Sequence, residues 1–260
     1  MRAIFHSIFL AFTALVLVAS QIAHAKAVNK EGFEFPAQGD VKIVVFRPDV
    51  HVGSLKVGGV DEPNPDWTEA ARKNIQIAMQ NSAEAQGAKM TFLGDFEGSD
   101  AELISDYRGL FQAVSSAIFQ HEMFPGNRLP TKQLNRGQKG KKSYAFDWTM
   151  GPETAKLKQV TGGDYGLFFY TYDSYGDAGR KVAQVAMAVL FGAWVPAGVH
   201  IGYAGLVDLN TGEIVWFNTD LAMGGDVRDA DGAAKRVAQL LKDFPLRDGA
   251  VPVKAATKKE

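Results

Sequence analysis

The chain has 260 residues, 28 of them basic, 29 acidic and none cysteine, with 46% hydrophobic residues. That length supports a sizeable core without covalent staples, and a formal net charge of −1 lacks the basic excess of a general nucleic-acid binder. The missing cysteine excludes disulfide frameworks, thiolate zinc sites, cysteine nucleophiles and the lipid-modified cysteine that anchors bacterial lipoproteins.

Residues 1–25 carry the three parts of a secretory signal peptide: Arg2, an apolar run over 8–19, and the small-residue pattern Ala23-His24-Ala25. The run is about 12 residues, short of the roughly 20 that a membrane-spanning helix needs. The expected location is the periplasm, without a lipid anchor. Residues 26–40 are polar and predict a lead-in segment.

The stretch 41–46 (VKIVVF) is apolar almost throughout and predicts a buried strand that Pro48 limits. A Gly/Pro-rich loop is expected over 53–65. Asp66 and Glu69 then form a D-x-x-E capping box, opening a helix to about Gln86 with Trp67, Ala71, Ile75, Ala78 and Met79 on one face. Residues 89–96 predict a second strand. Ser99 with Glu102 opens a second helix to about Met123, whose stripe is Leu103, Tyr107, Leu110, Phe111, Val114 and Ile118. Residues 125–150 show little periodicity and predict an insertion, followed by a short helix over 152–160.

The aromatic run 165–172 (YGLFFYTY) predicts a strand. From Val182 to Val207 no side chain carries a formal charge. A helix over 178–194, a break at Pro196 and Gly198, and a strand over 200–209 account for it as buried core. A peripheral membrane contact through 182–199 is the competing account. Asn210-Thr211-Gly212 turns a hairpin into 213–219, and a last amphipathic helix spans 231–243, with a disordered tail over 246–260. This alternation predicts an α/β fold over 41–245: a single mixed β-sheet with helices packed on it, in the order β-α-β-α-α-β-α-β-β-α.

The run Leu206-Val207-Asp208-Leu209-Asn210-Thr211-Gly212-Glu213-Ile214-Val215-Trp216 resembles the L-x-D-x-x-T-G-E-x-x-W hairpin of the curli secretion-channel (CsgG-like) group, whose wider architecture the TolB amino-terminal domain shares. An aromatic strand introduced by an acid, here Asp164 before Tyr165, also precedes the hairpin in such domains. The resemblance implies an envelope assembly or scaffolding protein with no catalytic set and no cofactor. Several of those relatives are lipoproteins, which a chain without cysteine is not.

Three histidines follow the signal-like segment: His51, His121 and His200. Asp49 and His51, two apart, would face one side if the strand extends past Pro48, but two ligands without a third make a poor metal site, so His51 is expected to be a loop or strand-end residue. His121 sits at a helix end, where the dipole favours a cation. His200 opens a strand, in place for a hydrogen-bond partner. Asp226, Asp229 and Asp231 have calcium-loop character but miss the required spacing, so Asp229 or Asp231 is expected to cap a helix. No catalytic, cofactor-binding or metal residue is assigned. An unrecognised periplasmic hydrolase or metal-dependent enzyme is the alternative to a binding protein.

The strongest functional signal is in the insertion. Arg128, Lys132, Arg136, Lys139, Lys141 and Lys142 fall in a window with no acid between Met123 and Phe146, beside the aromatic residues Tyr144 and Trp148. Such a window suits an anionic partner: an acidic envelope protein or an anionic envelope polymer.

Overall fold

The computed structural model describes residues 26–36, 40–85, 90–191 and 198–245. The signal-peptide reading of 1–25, the break at Pro196 and the tail reading of 246–260 lie outside the described residues. The strands are β1 (Lys26–Asn29), β2 (Ile43–Val45), β3 (Asp49–Leu55), β4 (Asp61–Pro63), β5 (Met90–Phe92), β6 (Tyr165–Gly176), β7 (Gly198–Asp208) and β8 (Ile214–Asp220). The α-helices are α1 (Pro65–Ala85), α2 (Gly98–Ile118), α3 (Ala155–Thr161), α4 (Ala178–Phe191) and α5 (Ala230–Leu240).

One mixed sheet runs in the order β1-β8-β7-β6-β2-β5, with β3 on β6 and β4 on β3. Helices pack on it, so the α/β class follows from the strand–helix alternation. The twelve-residue β6 organises the sheet. On one edge it pairs antiparallel with β7, from Tyr165↔Asp208 to Tyr175↔Gly198. On the other it pairs in parallel with β2 and then with β3. From Val45 to Asp49 the first chain advances four residues while β6 advances three, Leu167 to Tyr170, so the extra residue is absorbed as a bulge around Arg47-Pro48. Pro48 therefore jogs the strand without ending it.

Side chains that alternate along the strands fill two separate cores. Ile43, Val45, Leu167, Phe169, Ala204 and Leu206 meet Ala71, Ile75 and Met79 of α1 and Val237 and Leu240 of α5. Val44, Phe46, Phe168 and Phe217 meet Tyr107, Phe111 and Ile118 of α2 and Leu157 of α3 on the opposite face. The apolar stripes of α1 and α2 are those expected, except that Leu110 is exposed. The uncharged stretch also divides: Gly202 and residues 204–207 of β7 are buried within the sheet, whereas Val182 on α4 is 70% exposed. No helix among the described residues is long and apolar enough to cross a membrane.

Four local expectations are corrected. The lead-in contains β1, and the expected loop over 53–65 contains the end of β3 and all of β4. Asp66 does not cap α1: the Trp67 amide donates to Asn64 Oδ1 at 3.0 Å, with Pro65 at the first helical position. Glu97, not Ser99, precedes α2, without a side-chain cap.

Candidate interaction site

The insertion is an ordered structure and not a free loop. After α2 the chain makes a π-helical turn, Phe119–Met123, then two 3-10 turns, Pro125–Asn127 and Pro130–Lys132. An irregular hairpin follows. The Leu134 amide donates to the Ser143 carbonyl at 3.1 Å, the Ala145 amide donates to the Lys132 carbonyl at 2.9 Å, and Gln133 bridges Tyr144. Asn135 closes its interior: Nδ2 donates to the Lys141 carbonyl at 2.7 Å and Oδ1 accepts from the Ser143 amide at 3.1 Å. Gly137 and Gly140, both at positive φ, shape the tip. The far end is anchored, because Phe146 and Met150 are buried in the second core and the Met150 amide donates to the Gly212 carbonyl of the β7–β8 turn at 2.7 Å.

This scaffold divides the six cations. Glu122, buried in the π-helical turn, pairs with Arg128 and accepts from Trp148 Nε1 at 3.1 Å. Arg128 Nη2 also donates to the Glu122 carbonyl at 3.1 Å, and its guanidinium lies 5.4 Å from the centroid of Tyr144. Lys132 pairs with Asp147 and sits 4.3 Å over the Trp148 ring. Arg136 donates to the carbonyls of Pro130, at 3.1 Å, and Thr131. Lys139, Lys141 and Lys142 are exposed, and none forms an ion pair with a described residue. The acid-free window is thus partly neutralised by the acids just outside it, Glu122 and Asp147. Half the expected cations are structural. Sequence reasoning missed Glu122, whose only signal was its position one residue before the window.

Arg128, Lys142 and Tyr144 also line a cavity of about 690 Å³, together with Glu122, Pro125, Phe146 and the β1 residues Ala27, Val28 and Asn29. That is in the range of roughly 300–1,000 Å³ typical of ligand clefts. The basic insertion and the outermost strand of the sheet therefore share one concave surface.

The histidines occupy other places. His51 Nε2 lies 3.0 Å from Asp49 Oδ1 on β3, so the two do face one side. That carboxylate also takes Gln112 and, at 3.5 Å, Arg108. Among the described residues, no three His, Cys, Asp or Glu side chains converge as metal ligands. His121 sits in the π-helical turn with Nδ1 2.7 Å from the Asn127 carbonyl. The Asp229 side chain caps α5 through the Gly232 amide at 2.6 Å. The neighbouring Asp226 is gripped by Arg228, whose hydrogen bonds hold its carboxyl at about 2.

The most elaborate polar cluster lies under α5. Asp173 on β6 and Arg236 on α5 are both fully buried and pair two-fold, Nη1 to Oδ2 at 2.7 Å and Nη2 to Oδ1 at 2.8 Å. His200 Nδ1 approaches Asp173 Oδ1 at 2.7 Å, and Thr171 Oγ1 donates to Oδ2 at 2.8 Å. Burial pushes the Asp173 carboxyl up, but the His200 and Arg236 hydrogen bonds outweigh it and hold the group below the ordinary carboxylate range. An aspartate orienting a histidine is half of a nucleophile-activating triad. Through Asp173 the cluster ties β6, which carries Asp173, to β7 through His200 and to α5 through Arg236.

No protein-family model matches the chain, and no curated protein matches it. Among solved structures, two distant likenesses stand out. The PelC dodecamer from Paraburkholderia phytofirmans aligns at 10% identity over 84% of this chain and 93% of that chain, with a TM-score of 0.35. A variant of the same protein aligns at 10% identity over 84% and 94%, with a TM-score of 0.34. Likenesses at this level assign no function.

Proposed function

We propose that this chain is an exported, non-enzymatic protein of the bacterial cell envelope. It serves assembly or maintenance by holding an envelope protein or an anionic envelope polymer against the 125–150 insertion. The observation that carries this reading is the division of the cations: Arg128, Lys132 and Arg136 build the insertion, while Lys139, Lys141 and Lys142 are exposed on its hairpin and form no ion pair with a described residue. Cations held in place by hydrogen bonds, with exposed charges beside them, are how a surface recognises an anion with little ordering cost. The signal-peptide pattern, the missing cysteine and the CsgG-like hairpin motif support the compartment and the role.

The test uses the mature chain and a triple variant, Lys139→Ser with Lys141→Ser and Lys142→Ser. Binding to immobilised polyglutamate and to phosphatidylglycerol vesicles is measured against salt. Loss of three contacts should flatten the salt dependence, since each neutralised charge contributes to the slope. Unchanged, salt-insensitive binding by the variant sinks the reading.

A further inference from the structure

β1 closes one side of the sheet and pairs only with β8 among the described residues. Its bonding phase follows from the Lys30 amide, which donates to the Val215 carbonyl at 2.9 Å. In an antiparallel ladder alternate residues bond across the pair. With Lys26↔Thr219 to Asn29↔Trp216 in register, Val28 shares the phase of Lys30, and Ala27 and Asn29 turn their N–H and C=O groups away from β8. Those two residues line the 690 Å³ cavity under the insertion. The cavity thus offers main-chain donors and acceptors at strand spacing on one wall. The same lining includes Tyr144 and Phe146, Arg128 paired with Glu122, and Lys142, which forms no ion pair with a described residue.

Resting on the binding role proposed above, we infer that this cleft takes an extended acidic peptide segment of a partner protein, which adds to the sheet as a further strand alongside β1. Main-chain bonds to Ala27 and Asn29 set its register, and an acidic side chain meets Lys142. A polyanion without a peptide backbone matches the lysines but leaves the open amides unmatched. Charge argues against two other occupants. The tail 246–260 carries four basic and two acidic residues, the same sign as the cleft's free cation. A two-fold pairing of β1 with a second copy places like lysine-bearing hairpins near one another. The lone acid of the lining, Glu122, does not repel an acidic segment, because Arg128 and Trp148 already hold it.

The probe is a fluorescein-labelled eight-residue peptide of alternating valine and glutamate, titrated into the mature chain by fluorescence anisotropy. A second peptide of identical sequence is N-methylated at alternate residues, so charge and side chains are kept and one edge of donors is lost. Asn29→Pro removes one outward N–H and no bond to β8, and Lys142→Glu reverses the free cation. Saturable binding is expected, weakened about tenfold by each of the three changes. Equal binding of the two peptides, or no binding of either, overturns the inference even if Asn29→Pro proves too unstable to test. If the lysine variant loses polyglutamate while methylation changes nothing, strand addition falls and the binding role stands. If neither probe depends on the lysines, both fall.

Discussion

Arg236 and Arg128 each meet a buried carboxylate, and they differ in what the meeting leaves over. Arg236 is wholly enclosed: both Asp173 oxygens, Thr171 and the Gly225 carbonyl use its donors. Arg128 neutralises Glu122 but keeps 23% of its side chain exposed and lines a cleft. The first pair clamps α5 to the sheet and presents nothing to solvent. The second holds one wall of the cleft under the insertion while giving up most of its own charge to Glu122. Formal charge in a sequence is therefore a poor guide to charge offered to a partner; the position of the nearest acid decides it.

The enclosed pair should show the largest effect. Arg236→Leu takes the guanidinium from buried Asp173, leaving it with Thr171 and His200, and is expected to lower unfolding stability by about 3–5 kcal/mol; the double variant Arg236→Leu with Asp173→Val should recover much of that in urea denaturation. A single variant within about 1 kcal/mol of wild type breaks the comparison at its stronger end. Arg128→Leu leaves Glu122 with Trp148 in a wetter place, so about 1–3 kcal/mol is expected, with amide exchange rising over 125–150. Exchange that rises equally under α5 would show that the insertion is not a separate scaffold.

Asp226 sharpens the contrast through pH. Its folded carboxyl lies at about 2, against an ordinary 3.8, so its contribution is present above about pH 4 and is lost as pH falls toward 2. Asp226→Asn should flatten the fall in the urea midpoint across that window; an unaltered fall assigns the acid sensitivity elsewhere. The smallest effect belongs to the three hairpin lysines. Replacing them by serine should move stability by no more than about 0.5 kcal/mol, and a larger loss would place them in the structural class with Arg128.

The sheet's interior was legible because its signals are local. Apolar 41–46, aromatic 165–172 and the Asn210-Thr211-Gly212 turn each announce their own conformation, and Gly212 has the positive φ that such a turn demands. β1 was not legible, since four residues reading Lys-Ala-Val-Asn become a strand only through β8. β3 was legible only as an extension past Pro48 at Asp49 and His51, and its continuation to Leu55 needs β6 to be seen. The capping boxes failed at Asp66 and Ser99 because neighbouring residues, Asn64 and Glu97, took the positions that precede the helices. Charged windows cut by composition separated Arg128 from Glu122 and Lys132 from Asp147, though each pair is in contact. Asp173 and Arg236 lie 63 residues apart, beyond any spacing rule.

The placement of β6 has a consequence for how the chain reaches this structure. Its parallel neighbours precede it by more than a hundred residues, as Ile43 and Tyr165 illustrate, and β7 follows it across α4. Until 165–176 has emerged, the β2 and β3 segments have nothing to pair with on that side. Ordering so distant a contact carries a large loop-closure entropy, and folds dominated by such contacts form slowly. The β6-facing edges of β2 and β3 are therefore expected to be covered late in folding, after 165–176 is available. A holding chaperone would find its targets there, and a chain truncated before Tyr165 should aggregate instead of folding.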